Sequence, residues 1–131
     1  MKKLIITAHP NPEGFTHKIA KRFIEVSEKC GHDIFLMDLY NDEWKQDYLM
    51  LDENNKPVPD AKRDAIQEKI TRAEEIVFIF PLRWFDAPAI MKNWFDMNFT
   101  SKFAYIYKKD GVGLLPYRLL KRKAARVIFT A

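Results

Sequence analysis

The run EIVFIF, Glu75 to Phe80, constrains this chain more than any other stretch, because it passes into PLRWFDAP, Pro81 to Pro88, with no polar turn between. Ile76 to Phe80 are apolar without interruption, which is the pattern of a strand covered on both faces, not the alternation of a half-solvated one. Such a strand needs packed layers on each side of its sheet. The run leaves a question open, since two large aromatics, Trp84 and Phe85, stand where a turn is expected.

The rest of the chain supplies the layers. KLIIT, Lys3 to Thr7, reads as a first strand, and the Pro/Gly-rich AHPNPEG, Ala8 to Gly14, as the loop after it. Ile19, Phe23, Val26 and Cys30 fall at helical spacing, with Thr16 as the expected N-cap and Gly31 as the stop. DIFLMDLY, Asp33 to Tyr40, predicts a second strand, and Asn41 to Pro59 a polar excursion. Asp60 is placed to cap a second helix with Ala65 or Ile66, Ile70 and Ala73 on its apolar face. Pro88 suits the first turn of a third helix carrying Ile90, Met91, Trp94, Phe95 and Met97, and ARVIFTA, Ala125 to Ala131, a further strand.

Strands alternating with helices predict an α/β three-layer sandwich with a parallel sheet and right-handed crossovers. One doubly wound arrangement has five strands in the order 2-1-3-4-5. Against it, residues 1–131 are expected to form a single domain, short at its C-terminus, with four of the five strands.

Composition narrows the function classes. The chain has 131 residues, 47% of them hydrophobic and 31% charged, which is ordinary for one globular domain. No apolar run approaches the roughly 20 residues of a membrane span, and no signal peptide is recognisable, so a cytoplasmic protein is expected. The single cysteine, Cys30, excludes an internal disulfide framework and is assigned to a helical core face, while three scattered His argue against a bound metal. A net charge of +4 raises the question of nucleic acid. Only LLKRKAAR, Leu119 to Arg126, concentrates the charge, and it reads as a solvated face, so no nucleic-acid partner is expected.

In open α/β sheets ligands bind beyond the carboxyl ends of the strands, where strand order reverses. For the order 2-1-3-4-5 that point lies between strands one and three, bringing together AHPNPEGFT, Ala8 to Thr16, and PLRWFDAP. The first loop leads into a helix N-terminus, whose free N–H groups favour phosphate. The second offers flat aromatics. A flavin nucleotide needs both, with Trp84 and Phe85 against the ring and His9, Phe15 and Thr16 near the phosphate. Two alternatives stand beside this: His9 as a hydrogen bonder within its loop, and Trp84 and Phe85 as anchors packing a loop onto the third helix. No G-x-G-x-x-G or P-loop pattern is present.

HPNPEGFT followed by a helix, and later FPLRWFDAPAIMKNWFDMNFTSKFAY, resemble the NAD(P)H:quinone oxidoreductase family, flavodoxin-like flavoenzymes of the DT-diaphorase and drug-activity-modulator type. The similarity runs over nearly the whole chain, and the second motif is long and specific. It implies that His9, Phe15 and Thr16 bind the flavin phosphate region and that Pro81, Leu82, Arg83, Trp84 and Phe85 line the flavin ring. It further implies a homodimer in which Tyr105 and Tyr107 wall the neighbouring subunit's substrate pocket beside Phe85. The implied activity is two-electron hydride transfer from NAD(P)H, through FAD or FMN, to quinones or similar small acceptors. A non-catalytic or regulatory dimer that binds flavin and a protein partner is the alternative.

A third helix with apolar residues around more than one face fits that dimer. Two departures from the family pattern stand out. Asp86 occupies a position where the family has Gly or another small residue, and is read either as a charge beside the ring or as a cap for the third helix. The chain also ends in Phe-Thr-Ala where the family continues into a flavin-clasping Gly-rich loop and a catalytic Tyr/His pair; Thr130 is the sole candidate for that loop.

Overall fold

The computed structural model describes residues 1–107 and 115–131. At its centre is β3, Glu75–Pro81, buried from end to end. β1, Lys2–Thr7, pairs with it in parallel, and β2, Asp33–Asp38, pairs with the other edge of β1. Three helices connect and cover these strands: α1, Phe15–Lys29, α2, Ala61–Arg72, and α3, Ala89–Asn98. A short antiparallel pair, β4 at Tyr105–Ile106 and β5 at Tyr117–Arg118, precedes β6, Ala124–Thr130. The main sheet has the order β2-β1-β3-β6, the predicted 2-1-3-4. The pair β4–β5 has no apolar alternation to announce it.

Alternation along the strands divides the core. Leu4, Ile6, Ile76, Phe78 and Phe80 face α2 and α3, meeting Ile66, Ile70, Met91 and Trp94. Ile5, Val77 and Ile79 face α1 through Ala20. Each fully buried Ile, Leu or Met contributes roughly 1.5–3 kcal/mol, several times what strand propensity offers, so two-sided burial is what holds β3 in the centre.

Both α1 and α3 differ from expectation in an informative way. The α1 residues turned to the sheet are Thr16, Ala20 and Ser27, small enough for close approach, while Ile19 and Phe23 pack beside them and Val26 and Cys30 are exposed. Cys30 is therefore a surface residue and not a core one. Thr16 lies inside the first turn; Gly14 is the N-cap, and no side chain caps the helix. On α2 the expectation holds, with Asp60 accepting from the Arg63 N–H at 2.7 Å.

The second face of α3 is partly covered within the chain. Gln46, in the excursion, exchanges side-chain hydrogen bonds with the fully buried Asn98 at 3.1 and 2.8 Å, and the Asn93 amide donates to the carbonyls of Gln46 and Asp47. Arg63, also buried, ties the excursion to α3 by donating to Val58 O and Met97 O, each at 2.8 Å. Buried polar groups matched in this way fix the excursion against the helix. Ile90, Phe95 and Phe99 stay partly buried, and the latter two line an open depression beside Tyr48 and Leu49.

Candidate functional site

Beyond the carboxyl end of β3 the chain reverses in the tightest possible way. Arg83 N–H donates to Asp86 O at 2.8 Å and Asp86 N–H to Arg83 O at 3.0 Å, enclosing a two-residue turn whose centre is Trp84 and Phe85. The aromatics that stand where a turn is expected are the turn. Both have positive φ, 49° and 64°, as the two central positions of a type I′ hairpin turn require. That turn ordinarily takes Asn-Gly, because an L residue with a Cβ in the left-handed region costs roughly 1–2 kcal/mol.

Nothing in the described chain packs on these rings: Trp84 is 97% and Phe85 96% exposed. They are therefore not anchors against α3, the alternative considered for them. Backbone strain held in place without intramolecular packing is a mark of a binding or catalytic element. Pro81 beneath the turn is buried and in register with Thr130, and Leu82 N–H donates to Thr130 O at 2.8 Å, which fixes the base of the hairpin to β6. Thr130 reaches the site through its carbonyl. The Asp86 carboxylate accepts from the adjacent Ala87 N–H at 2.6 Å, so it braces the turn and is not the cap of α3; Pro88 occupies that position.

The neighbouring loop, after β1, is held close by Ala8 N–H donating to Ile79 O at 3.3 Å. Asn11 organises it. Its N–H donates to His9 Nδ1 at 3.0 Å, its side-chain oxygen accepts from Glu13 N–H, and its carbonyl accepts from Gly14 N–H at 2.9 Å. His9 Nδ1 also lies 3.2 Å from Asn11 O, so both backbone polar groups of Asn11 meet this one ring nitrogen and fix the ring's position. From below, His17 Nε2 lies 3.1 Å from His9 O, and 4.0 Å from the Asp38 carboxylate.

Close approach dictates Gly14. A Cβ there would sit 2.8 Å from His9 Cε1 and Nδ1 and 2.9 Å from Asn11 O, although the backbone itself, at φ −66°, is ordinary. Immediately beyond it α1 begins with no acidic residue in its first turn. Its first N–H groups have no intrahelical acceptor, and the positive end of the helix is left to whatever anion meets it. Thr7, the last residue of β1, is fully buried, and its hydroxyl has no partner among the described residues.

The structure brings His9, Phe15 and Thr16 to one side of the strand-order reversal and Pro81, Leu82, Arg83, Trp84 and Phe85 to the other. Phe15 is exposed, whereas Thr16 is buried against the sheet. Arg83 is turned back, its guanidinium donating to Leu82 O at 3.1 Å. Tyr105 is not brought to this cleft. It lies by the far end of α3, lining a separate depression with Tyr48, Leu49 and Phe99, and its ring meets Tyr107 edge-on at 5.7 Å. Asn11 and His17 escaped the sequence reading, although an Asn two residues after a His and before Pro-Glu-Gly is a turn signal.

Comparison with known proteins places these features. A family described as having a flavodoxin-like fold matches residues 1–131. An uncharacterized NAD(P)H oxidoreductase of Haemophilus influenzae is 33% identical over 129 residues, covering 93% of this chain and 62% of its own length. A solved structure of a putative quinone reductase from Klebsiella pneumoniae superposes with a TM-score of 0.83 at 28% identity, covering 98% of this chain and 58% of that one. General stress protein 14 of Treponema denticola, solved in complex with FMN, gives 0.58 at 27% identity, covering 82% and 53%. The chain spans 45% to 62% of the length of these curated relatives.

Proposed function

The chain belongs to the flavodoxin-like fold family, and on that premise we propose that it binds a flavin and serves NAD(P)H-dependent reduction of quinones or similar small acceptors. FMN is the better supported nucleotide, since one similar structure carries it. The observation that carries the reading is the turn at Trp84 and Phe85, two fully presented rings held in strained backbone. A flat aromatic ligand stacking on them offsets that strain.

The residues present fit such a ligand. Trp84 and Phe85 would face the ring system, and His9 with the free N–H groups at the start of α1 would meet the phosphate. When bound, a flavin supplies two-electron hydride chemistry. The protein's part is to hold the His9 ring in place through Asn11, to keep the turn fixed through Leu82 and Thr130, and to set the charge beside the ring through Asp86. A homodimer accords with the exposure of Tyr48, Met50 and Leu51 on the excursion and with Tyr105 and Tyr107 lying away from their own chain's cleft. In that arrangement the two tyrosines complete the partner's pocket.

Titration with FMN and with FAD, followed by flavin fluorescence, tests the reading. Binding at one flavin per chain, weakened at least tenfold in the double variant Trp84→Ala/Phe85→Ala, is expected, and failure of both nucleotides to bind overturns it. NAD(P)H oxidation with a quinone acceptor then separates the two forms of the proposal. Turnover supports the enzyme; stoichiometric flavin binding without turnover supports the regulatory dimer.

A further inference from the structure

At the opposite end of the sheet, a cleft of about 390 Å3 is lined by Tyr117, Arg118, Leu120, Lys121, Arg122 and Lys123, and we propose that it binds a compact polyphosphate anion of the pyrophosphate or triphosphate class. The run LLKRKAAR is largely exposed, as expected of a solvated face, and it folds into a tight connection leading to β6. Leu119 N–H donates to Ala104 O at 2.9 Å, and Lys121 N–H donates to Leu119 O at 2.9 Å across a three-residue turn. Leu120, at the centre of that turn, packs against the main core. Arg122 follows with a positive φ of 58°. Lys123 then closes the C-terminus of α2, its ammonium donating to Thr71 O at 2.8 Å and Ala73 O at 2.6 Å.

The connection is therefore pinned to the core at Leu120 and to α2 at Lys123, and Arg118, Lys121 and Arg122, all exposed, line the cleft. Among the described residues none of these three has an ion-pair partner, whereas Arg22, Arg72 and Arg126 each hold a carboxylate. Among the described residues no acidic side chain lines the cleft. The Lys123 ammonium is engaged by Thr71 O and Ala73 O, so the three outer cations are the ones left to meet a ligand.

Cations fixed side by side repel one another, and a multiply charged anion relieves this. Guanidinium forks match phosphate oxygens in pairs, and the cleft is roomier than a single phosphate needs. A nucleic-acid track would instead spread its basic residues along a stripe. The site is independent of the flavin reading, since β6 separates the two by its seven residues, roughly 20 Å at the usual rise of a strand.

Calorimetric titration of the whole chain with sodium tripolyphosphate, at about 0.15 M salt where loose surface attraction is screened, tests the inference. One anion per chain is expected, with affinity at least tenfold weaker in Arg118→Gln and weaker again in Arg118→Gln/Arg122→Gln. An unchanged circular dichroism spectrum and FMN titration in those variants show that the fold persists. No measurable binding, several anions per chain, equal binding by the variants, or tighter binding of a DNA duplex than of tripolyphosphate each overturns it.

Discussion

Arg83 and Asp86 face each other across two backbone hydrogen bonds of 2.8 and 3.0 Å, and the two residues between them, Trp84 and Phe85, both lie in the left-handed region. A hairpin turn that asks for Asn-Gly has been given its two least suited kinds of residue, and neither ring gains any packing from the described chain. The conflict lies between local preference and use.

Replacing the pair relieves the conflict. Trp84→Asn/Phe85→Gly is expected to stabilise the fold by about 1–3 kcal/mol, one left-handed penalty removed per position, while flavin affinity falls at least tenfold. Urea unfolding and FMN titration of the same preparation check both arms. A destabilised double variant would show that the rings pack on something in the folded protein.

Gly14→Ala is a purely steric test, since its φ of −66° suits alanine. The new methyl must displace the His9 ring or the Asn11 carbonyl. Overpacking of this kind costs about 1–3 kcal/mol. FMN affinity is expected to fall with stability, and an unchanged affinity would separate His9 from the phosphate.

Thr7→Val swaps a buried, unpartnered hydroxyl for a methyl of the same shape. Without a ligand the variant is expected to be more stable by about 1 kcal/mol, the cost of an unmatched polar group at the low end of its range. If the hydroxyl serves the bound nucleotide, FMN binding weakens in the same variant, and comparing melting with and without FMN reads both effects.

Asp86→Asn keeps an acceptor for the Ala87 N–H and removes the charge beside the rings. Asp86 stands on the ring side of the cleft, away from the phosphate, and unit charges even 4 Å apart in water interact by only about 1 kcal/mol, so a smaller tightening of FMN binding is expected, shrinking as salt is added. An effect that ignores salt would assign Asp86 to bracing the turn alone.

Acid stability rests on Glu75. Burial alone would raise its pKa, but hydrogen bonds from Lys3 and Arg126, each at 2.9 Å, and their charges outweigh this and hold it below its ordinary value of 4.5. A depressed folded-state pKa contributes stability that is complete above the unfolded value and is lost as pH falls through the folded one. Urea midpoints are therefore expected to fall steadily below about pH 4.5. Glu75→Gln, leaving Lys3 buried without its partner, is expected to cost about 3 kcal/mol at neutral pH and to flatten that acid slope.

How much of this was legible before folding depends on which force dominates each element. The run Ile76 to Phe80 announces a central strand because two-sided burial leaves a composition that no other element shares, and Asp60 announces its helix because capping is local. The α1 face was misread for a physical reason: apolar spacing picks out Ile19, Phe23, Val26 and Cys30, but a helix lying close on a sheet presents small residues, here Thr16, Ala20 and Ser27. The two sides of the cleft could be named from strand order. Their shape could not, because Trp-Phe carries no turn propensity and its turn is imposed by the pairing of Arg83 with Asp86. The intramolecular cover of α3 was likewise hidden, since Gln46 and Asn98 are far apart in sequence and polar.

β6 is the last strand of the sheet on its side, and Val127 and Phe129 stand exposed beside its outer edge. In a concentrated solution that edge is a template onto which any extended chain can be laid. For the isolated 131-residue chain, Val127→Lys on that edge is expected to raise the concentration at which light scattering first appears, and an unchanged onset would show that the edge does not template association.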